Sequence, residues 1–342
     1  MPEAPLASVI VVSRDLPASL HATLASLRAQ TLPELETVVV LNRADDARRD
    51  PEWAAELAEA EVVVAGRNLG FAAGVNLGVR ASRGRYVLLL NDDAWADPVW
   101  AERLVGEAES DPRVGSCAAD VLLVDPPGRI DTTGHLLFAD GLNRGRGRLE
   151  IDRGQYDSRR DALFPSGAAA LYRRELLEAP GGFESRFFAY GEDTELGLRA
   201  RLAGWECRFV PGARAWHHGS ATAGAYSAFK AYQVERNRVW LVARHFPLFL
   251  VLLNPWVAGA RHLVQAIGIA RGRGAAARFH DGTRGRGLLA TAIRALVDGW
   301  LGVPGMVLTR LRGRSARRRS PRAVYRWLRV HGLGLREVAW TE

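Results

Sequence analysis

The chain has 342 residues, 48% hydrophobic and 25% charged, which is enough apolar material for one large domain or two with a sizeable core. Its only cysteines, Cys117 and Cys207, argue against a disulfide framework or a cysteine metal site. The net charge of +8 is divided unevenly: residues 1–224 carry 25 arginines against 33 acids, and residues 225–342 carry 21 basic residues against 5 acids, so an acidic body precedes a basic tail.

The start, MPEAPLA, lacks the basic segment of a signal peptide, so export is not expected. Ser8–Ser13 (SVIVVS) is a β-branched run of strand length. Arg14-Asp15-Leu16-Pro17 leads from it into a helical pattern with Leu20, Leu24 and Leu27 on one face. Thr37–Leu41 repeats the strand signal, Asn42–Asp46 is loop, Pro51–Ala60 is a helix capped by Asp50, and Glu61–Ala65 is a third strand. Strands alternating with helices at this spacing call for a largely parallel sheet covered on both faces.

From Gly66 to Gly78 a glycine-rich passage runs into a helix that stops at Gly84. Gly74 and Gly78 suit close helix packing, whereas Gly66–Gly70, at a strand end, could bring backbone amides up to a phosphate. Next, Tyr86–Leu90 is a continuous apolar strand ending in Asn91-Asp92-Asp93. In an open α/β sheet, ligands sit beyond the carboxyl ends of strands, and oxygen donors there suit Mg2+ or Mn2+ carrying phosphates. The competing reading is that these residues only open a turn and cap the helix beginning near Pro98.

Gly115–Phe164 loses regularity and reads as a β-rich insertion or acceptor-side loop region. Phe164-Pro165-Ser166-Gly167 then precedes an apolar strand, Ala168–Tyr172. Farther on, Glu192-Asp193 opens a helix containing Leu196, Leu198 and Leu202, where acids are also stabilised by the helix dipole alone. Gly204–Pro211 forms a strand, and Trp216-His217-His218-Gly219 follows as a loop whose histidines are either metal ligands or ordinary surface side chains.

Together these pieces resemble the inverting family 2 glycosyltransferases of GT-A fold, in particular the bacterial rhamnosyltransferase-like branch. The resemblance runs over about residues 8–245: SVIVVSRDLPASLHATLASLRAQTLP, NLGFAAGVNLG, GRYVLLLNDD, SGAAALYRRE, GGFESRFFAYGEDTELGLRARLAGW, VPGARAWHHGS and VERNRVWL, in that order. It implies an α/β GT-A nucleotide-sugar-binding fold, with a mostly parallel central sheet flanked by helices and a C-terminal amphipathic helical region. Residues 1–224 would be the transferase domain, its nucleotide-binding half being 1–95 and its acceptor half 96–224. It implies Asp93 as metal ligand, with His217 and Asn91 completing the site, and Mg2+ or Mn2+ as cofactor. Asp193 falls on the general base. Glu192, Ser166 and Gly167 would face acceptor or sugar. Ser13, Arg14, Asp15, Asn42, Arg67, Asn68, Gly70, Asn76, Asn91 and Asp92 would border the donor. The chain departs from the family where an aspartate usually ends the second strand, here Leu41, and where a tyrosine usually stands in the first loop, here Arg14, so the donor base is open.

In the tail, Phe246–Leu253 with Trp256 and Val257 is strongly apolar but is interrupted by Arg261 well short of the roughly twenty residues needed to span a bilayer. Leu288–Leu311 repeats the pattern, and Arg312–Arg319 adds an arginine cluster. Residues 225–342 are therefore expected to lie on an anionic membrane surface, or else to cover the body or pair with a second copy as a homo-oligomer. Nucleic acid is not expected, since no zinc, RNA-recognition or helix-turn-helix signature is present.

The sequence thus points to a cytoplasmic enzyme, peripheral on the inner face of the membrane. It would move a sugar, first L-rhamnose from dTDP-rhamnose, onto a lipid-linked or cell-surface glycan. The alternatives are a UDP-hexose or UDP-furanose donor on the same fold, a non-catalytic sugar-nucleotide-binding scaffold, or a polyanion-binding protein acting through its tail.

Overall fold

The computed structural model describes residues 4–178, 181–219, 227–271 and 286–340. The first half alternates strand and helix as the periodicity predicts: β1 (Ala7–Ser13), α1 (Ser19–Arg28), β2 (Leu35–Leu41), α2 (Pro51–Glu56), β3 (Glu61–Val64), α3 (Phe71–Ala81) and β4 (Tyr86–Leu90). Asp50 caps α2 by accepting from the Glu52 amide at 3.0 Å. Then come β5 (Ala94–Ala96), α4 (Trp100–Ser110), β6 (Val114–Leu123), β7 (Ile130–Thr132), β8 (His135–Leu137), β9 (Asn143–Gly145), β10 (Ala169–Arg173), α5 (Arg174–Glu178), α6 (Glu192–Ala203) and β11 (Glu206–His217).

The main sheet has the order β3-β2-β1-β4-β10-β6-β11-β5, with β7 beside β6. β1, β2, β3, β4, β6 and β11 share one direction, whereas β10, β5 and β7 oppose it. Because strand side chains alternate, Val9, Val11, Val39, Leu88 and Leu90 meet α1 and α4 on one face, while Ile10, Val38, Val40, Val87 and Leu89 meet α3, α5 and α6 on the other. Each fully buried Val, Leu or Ile contributes about 1.5–3 kcal/mol relative to exposure. Gly74 and Gly78 serve packing, as their spacing suggests: a Cβ at Gly78 would lie 2.5 Å from the Ile10 side chain.

Three expectations are corrected. Gly115 does not open an insertion, because β6 is a fully buried, ten-residue strand inside the main sheet. Asn91-Asp92-Asp93 does not cap α4. The short strand β5 intervenes, and Asp97 makes that turn by accepting from the Val99 amide at 3.1 Å. His217 is not in a loop. β11 continues past a register shift at Phe209/Arg214, where Pro211 and Gly212 interrupt the ladder, and ends at His217 paired with Ala94 and Leu123.

The remaining helices are α7 (Ala228–His245), α8 (Leu248–Ala270), α9 (Arg286–Arg312), α10 (Arg322–Val330) and α11 (Leu335–Trp340). The boundary expected at 224/225 lies outside the described residues. Leu241, Val242, Phe246, Val324 and Trp327 share one apolar cluster with Leu163, Phe164, Leu198 and Leu202 of the body. Several tail arginines are inward-facing. Arg261, 1% exposed, donates to Asp140 at 2.6 Å and to Glu235 at 2.8 Å, and Arg310 caps the end of α7 by donating to the Phe246 carbonyl at 2.6 Å. The Gly299, Gly302 and Met306 side of α9 rests on α7 and the body: Trp240 donates to the Gly299 carbonyl at 2.9 Å, and Met306 packs with Phe187 and Ala243.

Elsewhere α8 and α9 expose apolar stripes. Leu248, Leu252, Trp256 and Leu263 stand out on α8, and Leu289, Ile293, Val297, Trp300, Leu301, Leu308 and Leu311 on α9. Among the described residues one helical stretch, Leu289–Arg312, is long and apolar enough by length and composition to cross a membrane.

Candidate active site

The shared direction of β1, β2, β4, β6 and β11 brings their carboxyl ends to one edge, and the antiparallel β10 delivers Ser166 and Gly167 to the same edge from its amino end. There β4 gives way to a tight turn in which the Ala94 amide donates to the Asn91 carbonyl at 3.1 Å. Asp92 is drawn inward. It accepts from the Ser13 hydroxyl at 2.7 Å, its carbonyl accepts from Ser19 at 3.0 Å, and burial pushes its carboxyl up to about 6 against the pull of Ser13. Ser13 and Asp92 therefore brace the edge by tying β4 to β1 and α1.

Asp93 turns the other way, toward β11. Its Oδ1 lies 3.3 Å from His217 Nε2, and Asn91 Nδ2 lies 3.4 Å from the same nitrogen. On the far side of the ring, His217 Nδ1 stands 2.7 Å from Asp131 Oδ2, and the other Asp131 oxygen is paired with Arg148. A neutral imidazole that donates Nδ1–H to this carboxylate presents its Nε2 lone pair to the Asp93 carboxylate. Two lone-pair groups facing each other at 3.3 Å are an arrangement that a cation between them satisfies. The nitrogen-and-oxygen donor set suits a divalent ion that takes further oxygens from phosphates. Among the described residues no group of three His, Cys, Asp or Glu side chains converges, so Asp93 and His217, with the Asn91 amide beside them, are what the protein could supply. His218 does not join them. Its ring meets Trp95 edge-on at 5.5 Å.

Beside this turn, Arg14, Asp15, Asn42, Arg43, Ala44, Asp45, Arg67 and Asn68 line an open cleft of about 460 Å3. Five of these were expected; Arg43, Ala44 and Asp45 had only the signal of lying after Asn42 in the loop beyond β2. Asn42 itself is buried and braces the next loop, accepting from the Leu69 amide at 2.8 Å and donating to the Gly70 carbonyl at 3.2 Å. Gly70, at φ +81°, allows close approach of another segment: a Cβ would lie 2.6 Å from both the Phe188 ring and the Phe188 carbonyl. Asn76 does not reach the cleft. Its amide exchanges hydrogen bonds of 2.7 and 2.8 Å with the backbone of Phe183. A larger hollow of about 750 Å3 lies at the amino ends of β2 and β3, against Leu35, Glu36 and Glu61, away from the carboxyl edge and from Asp93 and Asp193.

Asp193 sits at the first turn of α6. Its Oδ1 accepts from the Thr194 amide at 2.6 Å, and its Oδ2 faces the Gly167 amide at 3.4 Å. The tie to Gly167 crosses to another element, which a dipole-stabilising acid would not require. Ser166 keeps that bend tight by accepting from the Ala168 amide at 3.2 Å. Glu192 is buried, and its Oε2 has no hydrogen-bond partner among the described residues. Burial, followed by the charge of Asp193, holds its carboxyl well above the usual range. The segment leading in is strained. Phe188 and Tyr190 have φ of 64° and 67°, and the Ala189 amide donates to the Phe187 carbonyl at 2.7 Å in a γ-turn. Such conformations cost about 1–3 kcal/mol each and persist where surrounding contacts hold them.

Asp131 and His135 escaped the sequence reading. Asp131 lies on the three-residue strand β7, and the half-buried His135 ring stacks on Phe164 at 5.3 Å. Both come from short strands without periodicity, so no local signal marked them.

The family described as "Glycosyltransferase like family 2" matches residues 4–241. The O-antigen biosynthesis protein RfbC of Myxococcus xanthus is 30% identical over 231 residues, 64% of this chain, which spans only 18% of that protein's length. An N-acetylglucosaminyl-diphospho-decaprenol L-rhamnosyltransferase of Mycobacterium tuberculosis is 28% identical over 246 residues, 63% of this chain and 77% of the relative. The mannosyltransferase PcManGT from Pyrobaculum calidifontis, solved with GDP-Man and Mn2+, shares the fold at a TM-score of 0.52 over 88% of each chain, with 18% identity.

Proposed function

The chain belongs to the family 2 glycosyltransferases, and from that premise we propose a metal-dependent, inverting transfer of a sugar from a nucleoside diphosphate to a lipid-linked glycan. The observation that carries the proposal is the meeting, at one sheet edge, of the Asp93–His217 pair and Asp193, the first suited to a diphosphate-bound cation and the second to a proton.

Asp93 and His217, with Asn91 beside them, would hold Mg2+ or Mn2+, which when bound neutralises charge on the leaving diphosphate. Asp131 fixes the His217 tautomer that such a role needs. The cleft lined by Arg14, Asp15, Arg43, Arg67 and Asn68 receives the nucleoside. Asp193 takes the proton of an acceptor hydroxyl as that oxygen bonds to the anomeric carbon and the bond from that carbon to the diphosphate oxygen breaks. Attack and departure on opposite faces of the sugar invert its configuration. Glu192, beside Asp193 in the first turn of α6, faces a hydroxyl of sugar or acceptor.

L-rhamnose from dTDP-rhamnose is the first donor to test, supported by the relative named as a decaprenol-linked rhamnosyltransferase, whose name also supports a lipid-linked acceptor. The outward stripes of α8 and α9, with the tail's excess of arginine, suit an anionic bilayer. Because α9 rests on α7 and the body, in-plane docking on the inner face of the membrane fits better than crossing. The test is thermal stabilisation by a panel of dTDP-, UDP- and GDP-sugars with Mn2+, Mg2+ or chelator. One donor should shift the melting temperature only with metal. No metal-dependent shift for any donor would overturn the reading.

A further inference from the structure

The Asn237 amide donates to three carbonyls of the strained segment before α6: Phe187 at 2.9 Å, Ala189 at 3.0 Å and Tyr190 at 2.6 Å. Its own Oδ1 accepts from Arg236 Nε at 3.0 Å, which fixes which end of the amide faces the carbonyls, and Arg236 adds a bond to the Phe187 carbonyl at 3.1 Å. Asn237 is 1% exposed and lies on α7, in the VERNRVWL stretch to which the transfer reaction assigns no role. The carbonyls it gathers bracket two residues of positive φ, Phe188 and Tyr190, and the chain passes from them through Gly191 at φ 88° into Glu192 and Asp193. From the other side, the Ala72 amide at the start of α3 donates to the Phe188 carbonyl at 3.2 Å.

From this we infer that Asn237 is a positioning residue: it holds the Phe187–Tyr190 turn in its strained form and so aims Asp193 at the acceptor hydroxyl. The inference rests on the reading of Asp193 as general base. An amide suits the place, since an uncharged side chain with two N–H groups on one nitrogen serves the three converging carbonyls with one hydrogen shared between two of them, while its oxygen answers Arg236. An aspartate would turn a carboxylate onto those carbonyls, and alanine would remove the donor that ties all three to α7. Once released, the turn relaxes toward ordinary backbone angles and moves the base. Displacements of about 1 Å in a reacting geometry cost on the order of 100-fold in rate.

The test compares Asn237→Ala and Asn237→Asp with Asp193→Asn and the unaltered protein, measuring kcat, donor KM at fixed Mn2+, and amide hydrogen exchange. Both Asn237 variants should lose roughly 10- to 100-fold in kcat, keep donor KM within about twofold, and exchange faster in peptides covering residues 186–192 but not in β1 or β4. Unchanged kcat despite faster local exchange overturns the inference, as does a donor KM that rises in step with the loss of kcat. Full turnover in Asp193→Asn would instead show that the base itself is misassigned and remove the ground for the inference. Should neither Asn237 variant fold, Arg236→Met leaves Asn237 present and removes the donor to its oxygen together with the Arg236 bond to the Phe187 carbonyl. A smaller kcat loss with the same exchange pattern supports the inference, and unchanged kcat and exchange refute it.

Discussion

Asp131 offers a demanding test of the metal site, because two neighbours constrain what a substitution there can do. In the native protein one carboxylate oxygen stands 2.7 Å from His217 Nδ1 and the other is paired with Arg148. Asparagine has the same shape but only one acceptor oxygen. Arg148 can only donate, so it should draw the amide oxygen to itself and turn the amide nitrogen toward His217 Nδ1. That nitrogen must then accept, and the ring proton moves to Nε2, the position facing Asp93 at 3.3 Å. The lone pair proposed for the metal is thereby capped. Loss of such a supporting group typically lowers metal affinity about 10- to 100-fold, equivalent to about 1.4–2.7 kcal/mol. Mn2+ binding followed by electron paramagnetic resonance in the presence of a nucleoside diphosphate reads this without turnover. Adding Arg148→Met to Asp131→Asn frees the amide to flip and should restore part of the affinity. An Mn2+ affinity unchanged in Asp131→Asn, or a double variant weaker than the single one, would refute the tautomer argument.

Other expectations are more direct. Asp193→Asn should lower kcat by roughly 100-fold or more while donor affinity with Mn2+ stays within about twofold; retained turnover would exclude it as the base. Trp256→Glu with Leu252→Glu should abolish co-sedimentation with phosphatidylserine-containing vesicles and leave turnover on a water-soluble acceptor intact, and equal sedimentation by the variant would place membrane contact elsewhere. Burial pushes His245 down to about 4 even though Glu195 sits 3.0 Å away, so the ring is neutral in the fold but takes a proton at its ordinary value, near 6.5, when unfolded. Its contribution is therefore present above that value and is lost as pH falls from about 6.5 toward 4, to a limit of about 3 kcal/mol. Denaturant unfolding should show the unaltered protein losing more stability than His245→Asn between pH 7.5 and 4, and parallel curves would show that His245 does not titrate in this way.

What was legible in the sequence was whatever repeats locally. The β-branched runs of β1 to β3, the leucine face of α1, the glycines of α3 and the buried strand ending in Asn91-Asp92-Asp93 each carry their own period or punctuation. They fix the layers and direct the acids to the carboxyl edge. Asp93, His217 and Asp193 could be named because ordered motifs resembled a family. Whether the acids were ligands or caps was undecidable along the chain, since a helix start and a metal site ask for the same residues. Only the tertiary structure decided that β5 separates the turn from α4, that Asp92 turns to Ser13 while Asp93 turns to His217, and that Asn76 answers Phe183. It also decided the partners that lie far away in sequence: Asp131 is 86 residues from His217, and Asn237 reaches back 47 to 50 residues to the turn before α6. Such pairings leave no periodic trace, because a single hydrogen-bonding side chain on a short strand or a helix face looks like any other until folding brings its partner within 3 Å.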